Sequence, residues 1–160
     1  MWPGAGSPAI ELPSAVAHRR IIDGKFLQEA MSATAGSNDG FVRVAYFDYN
    51  DVTGRYEYFS IDTRAPQMMT ERSTGRAAQG GNVTLYGGMF VAPQWGSARN
   101  SPFRYELVVD PVQDNTQTVE LYLTPLPASR GPRFLAFKYL YTRIPAAGAS
   151  SHRRQSHTRS

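Results

Sequence analysis

The segment from Arg133 to Ile144 constrains the fold more than any other, because it is the longest run in the chain that reads as one β-strand. Side chains alternate across a strand. Phe134, Ala136, Leu140 and Ile144 then share one face, while Leu135, Phe137, Tyr139 and Tyr141 share the other. Both faces are largely apolar, and a strand of that kind asks for cover on both sides. The expectation is a central strand of a sheet or sandwich. It ends at Pro145, which has no N–H to give to a ladder. The aromatic content and the absence of helical spacing favour a strand over a buried helix.

Shorter strands precede it. Phe41 to Tyr49 and Arg55 to Asp62 read as a hairpin joined by residues 50–54. One register pairs Arg43 with Asp62 and sets Asp48 near Glu57. Asn82 to Tyr86, Met89 to Ala92, Phe103 to Val109 and Thr118 to Leu123 follow, with Gly87-Gly88 as a turn or bulge. Lys25 to Thr34 instead reads as a short helix. Phe26, Leu27, Ala30 and Met31 share a helical face, Asp23 serves as its cap and Gly36 as its exit. About seven strands and one helix predict a mainly β fold, a β-sandwich or jelly-roll-like barrel with flexible termini. The chain divides into an irregular N-terminal arm at 1–20, a β-domain at 21–145 and a disordered basic tail at 146–160.

The formal charge of +4 is unevenly placed. Residues 21–144 carry 12 basic and 12 acidic side chains, whereas the last sixteen carry Arg153, Arg154 and Arg159 and no acid. A neutral body argues against a broad basic face for nucleic acid. With no cysteine, the chain has no disulfide, thiolate metal site or thiol nucleophile. No stretch approaches the ~20 apolar residues of a membrane-spanning helix, and no basic-then-apolar leader opens the sequence, so an intracellular or virion-associated protein is expected.

His18, His152 and His157 all fall in the predicted arms, where no rigid surroundings would hold a base against a nucleophile. No Gly-x-Ser-x-Gly elbow or phosphate loop is present. No catalytic residue, cofactor or metal site is therefore expected. The one candidate for acid–base or calcium chemistry is the carboxylate group Asp48, Asp51, Glu57 and Asp62 around the hairpin.

Two roles remain. The first is a non-enzymatic assembly protein, organised like a small viral jelly-roll coat subunit. Its body would contact itself or another protein, and Arg153, Arg154 and Arg159 would contact RNA or DNA. The second is a recognition module for a peptide, sugar or partner protein. Its site would be the long irregular stretch at 63–81, through Met68, Met69, Arg72 and Arg76, or the loop around Trp95.

Overall fold

The computed structural model describes residues 1–2, 4–12, 14–34, 40–77, 80–92 and 98–144. It contains nine strands: β1 (Ala15–Ile22), β2 (Phe26–Ala33), β3 (Val42–Asn50), β4 (Arg55–Asp62), β5 (Ala65–Arg72), β6 (Val83–Val91), β7 (Pro102–Val109), β8 (Thr116–Pro125) and β9 (Phe134–Thr142). All belong to one antiparallel sheet in which each strand pairs with the next in sequence, and the sheet curls into a half-barrel.

Tight turns make this order the natural one. Asp23 and Gly24 both have positive φ, as do Asp114 and Asn115. Two successive residues of that kind suit the twist of a two-residue hairpin turn. Asn50 accepts the backbone N–H groups of Val52 and Thr53 through Oδ1, and Asp62 accepts that of Arg64. Each short turn returns the chain beside the strand it has just left.

The curl brings the first strands against the last. Arg19 on β1 donates through Nη1 to Oε1 of Gln117 on β8 at 2.6 Å, and its guanidinium lies 4.0 Å from the ring centre of Tyr141 on β9. The inner face of β6 to β9 is apolar. Leu85, Phe90, Phe103, Tyr105, Leu107, Val119, Leu121 and Leu123 are all buried there. Each such side chain contributes about 1.5–3 kcal/mol by leaving water. The inner face of β2 to β5 differs, because Glu29, Arg43, Ser60 and Glu71 are buried on it, with Ser73 buried just past the end of β5.

Mainly β is correct, but the sandwich or jelly roll of seven strands is not: nine strands form a single meander. The expected helix at 25–34 is β2. Asp23-Gly24 is a hairpin turn rather than a cap, and Leu27, Glu29 and Met31 alternate inward along a strand. Ala128–Arg130 forms a 3-10 turn. The stretch at 63–81 is not irregular throughout, since it holds β5. Residues 15–20, read as arm, belong to β1.

The final strand is not central. Among the described residues β9 pairs with β8 alone. Its register skips Ala136, because Leu121 faces Phe137 while Tyr122 faces Leu135. This bulge shifts the alternation, so Phe134 joins Phe137, Tyr139 and Tyr141 against the core. Leu140 and Ile144 are exposed, and the second layer of cover expected for them is absent from the described residues.

Gly87-Gly88 is a bulge within β6, where the register with β7 shifts between Tyr86 and Met89. A Cβ on Gly87 would fall on the ring of Tyr105. That ring is buried and fixed, since its hydroxyl meets both the N–H and the C=O of Thr70 at 3.1 Å. Gly87→Ala is expected to destabilise the fold by about 1–3 kcal/mol in chemical denaturation. Gly88, with nothing within 4 Å of its added Cβ, is the control. Equal costs for the two alanines would contradict the close approach.

Candidate functional site

The curl leaves a cavity of about 190 Å³ on its inner side. Phe90, Leu107, Leu121 and Phe137 form its apolar wall, while Arg43, Tyr58, Ser60 and Glu71 form the opposite side. Met1 and Leu12 also reach it. The alternation of three adjacent strands places the polar wall. Arg43 points inward on β3 beside Ala45, and the ladder sets Tyr58 of β4 opposite Glu71 of β5.

Arg43 meets three side chains. Nη1 donates to Oε1 of Glu29 at 2.7 Å and approaches the hydroxyl of Tyr141 at 3.4 Å, while Nη2 donates to the hydroxyl of Tyr58. Glu29 accepts further bonds from Tyr141 at 3.2 Å and from Nε of Arg19 at 2.7 Å. Burial works against the Arg43 charge, but Tyr58, Tyr141, Tyr139 and Glu29 outweigh it and hold the guanidinium pKa above its ordinary value. Burial raises the phenol of Tyr58 despite the pull of Arg43. The result is a complete buried network of charged and hydrogen-bonded groups.

Glu71 stands apart from it. The residue is 2% exposed, yet neither carboxyl oxygen has a hydrogen-bond partner. Desolvation pushes its carboxyl up to about 8, against the opposing pull of Arg43. Near neutral pH the group therefore holds a proton in a setting closed to water. Unpaired buried polar groups cost free energy, so they are rare and cluster where something binds.

At the cavity edge Arg64 clasps Asp62 with two bonds, Nε to Oδ1 at 2.9 Å and Nη2 to Oδ2 at 2.6 Å. Its guanidinium lies 3.7 Å from the ring centre of Phe41. The expected register of the β3–β4 hairpin is present, with Arg43 opposite Asp62 and Asp48 opposite Glu57. The Asp62 carboxylate nevertheless belongs to Arg64, not to Arg43.

The residues expected to bind a partner are dispersed. Met68 and Arg72 point outward from β5, with Arg72 in an ion pair to Glu57 at 3.3 Å. Arg76 lies beyond the strand and donates to the hydroxyl of Tyr49 at 3.1 Å. Met69 alone lines the cavity. Trp95, Arg153, Arg154 and Arg159 lie outside the described residues. Of the carboxylate group, Asp51 sits exposed in the turn, and no cluster of three potential metal ligands occurs among the described residues.

Arg43 leaves a mark in the sequence, as one charge on the otherwise apolar face of Phe41, Ala45, Phe47 and Tyr49. Glu29 and Glu71 leave the same mark only once their segments are read as strands. No protein-family model, curated protein or solved structure matches the chain.

Proposed function

We propose that this protein is a binding module that takes a small, mainly apolar molecule into the interior of its curled sheet. The observation that carries this is the interior cavity with Glu71 unpaired in its wall. Apolar walls with a few placed polar groups are what small-molecule sites present. The volume suffices for one substituted ring, since a dry cavity of about 150 Å³ holds benzene. This keeps recognition as the role and moves its site from the surface loops to the sheet interior. An assembly role would place its nucleic-acid contacts in the tail, outside the described residues, and gains nothing from the cavity.

Titration with toluene or indole, followed by amide NMR shifts, tests the proposal. Saturable shifts are expected along the inward residues of β3 to β5 and β7 to β9. Leu121→Trp, which fills the cavity from β8, should weaken binding by about tenfold or more while thermal melting confirms a folded protein. Shifts confined to outward residues, or a folded Leu121→Trp protein that binds as well as the parent, would overturn it.

A further inference from the structure

Glu71 is the group in the cavity whose needs the chain itself does not meet, and its surroundings show what would meet them. The charged and titratable groups facing it come from three elements: Arg43 on β3, Tyr58 on β4 and Tyr105 on β7. The inward residues of the adjacent β6, Leu85 and Phe90, do not titrate. None of these neighbours donates a hydrogen bond to Glu71. Arg43 gives its N–H groups to Glu29, Tyr141 and Tyr58. Tyr105 gives its hydroxyl to the backbone of Thr70, and Ser73 gives its own to the C=O of Gly75.

Resting on the interior-cavity reading above, we infer that the ligand is a compact apolar amine whose protonated nitrogen docks on Glu71. A carboxylate with both oxygens vacant accepts several donors and a positive charge, and an ammonium group brings both. The rings of Tyr58, Phe137 and Tyr139 line the same space, and aromatic faces attract a cation. A ligand carboxylate would meet a second acid in Glu71, while the Arg43 charge is already paired with Glu29. A neutral ligand would leave the acid protonated and use only part of what it offers.

The amine proposal fixes a sign for pH dependence. In the empty protein burial pushes the Glu71 carboxyl up to about 8. Docking the ammonium releases that proton. A primary alkylamine stays charged well above this range, as a lysine side chain does at about 10.4. Amine affinity should therefore rise about tenfold per pH unit up to about pH 8 and then level off.

The test is calorimetric titration of the full chain with 2-phenylethylamine and with its uncharged counterpart 2-phenylethanol, at pH 6, 7 and 8. The amine is expected to bind at least about tenfold more tightly than the alcohol at pH 8 and to lose that advantage by pH 6. In the Glu71→Gln protein, checked for folding by its melting curve, the amine should bind no better than the alcohol and without a pH slope. If both compounds bind alike in the parent protein, or if the slope survives Glu71→Gln, the amine assignment falls while the cavity reading stands. If neither binds, the cavity reading falls and takes the amine with it.

Discussion

Glu71→Gln should stabilise the ligand-free protein by roughly 2–4 kcal/mol at pH 8 and by almost nothing at pH 4. The sign follows from the raised carboxyl. Its ordinary value is 4.5, and burial takes it to about 8 in the fold. Below pH 4.5 the group is protonated in both folded and unfolded chains, so its charge costs nothing. Between 4.5 and about 8 the unfolded chain releases the proton while the folded one retains it, and stability falls as pH rises. Above about 8 the loss is complete. Glutamine carries no charge to desolvate and escapes this slope. Urea unfolding of both proteins across pH 4–9 measures it, and parallel pH profiles would show that Glu71 is hydrated or paired. A site residue that weakens its own fold fits a group kept for binding.

Arg43→Met should cost about 3–5 kcal/mol, the opposite outcome for a residue on the same cavity wall. Arg43 and Glu29 each have side chains 8% exposed and meet at 2.7 Å. Removing the guanidinium strands Glu29 with Arg19 as its remaining ionic partner and leaves the hydroxyl of Tyr58 without its donor. The cost comes from groups left unsatisfied, not from the pair's net worth. Glu29→Met in the same chain should therefore restore a large share of the loss, since a buried pair replaced by apolar residues is often near neutral. Arg19, the more exposed member, can return to water. A double-mutant cycle in urea reads this directly. Simple addition of the two single losses would mean that the network is not one unit.

The hairpin from Phe41 to Asp62 is legible in the sequence almost residue by residue. Alternation gives its faces, and the five-residue turn limits its register. β7 and β8 are legible for the same reason, with Phe103, Tyr105 and Leu107 inward as their spacing predicts. β2 is not, because Phe26, Leu27, Ala30 and Met31 satisfy a helical period while Asp23-Gly24 passes for a cap. Only the positive φ of both turn residues decides between the two.

The bulge at Ala136 is equally silent, since one skipped residue reverses every facing after it without changing composition. The site was hidden with these elements. Glu71 reads as loop until β5 is recognised. The distance between β1 and β9 along the chain gives no local sign that Arg19 and Tyr141 meet.

The most direct measurement is a side-chain carboxyl NMR titration of Glu71 in the full chain, without ligand and with 2-phenylethylamine. A carboxyl titrating near 8 in the free protein, and far lower with the amine, is the result expected of a buried, unpaired group waiting in the cavity wall. A carboxyl titrating near its ordinary 4.5 in the free protein would mean that water or a neighbour already satisfies it, and the interior would then be core rather than site.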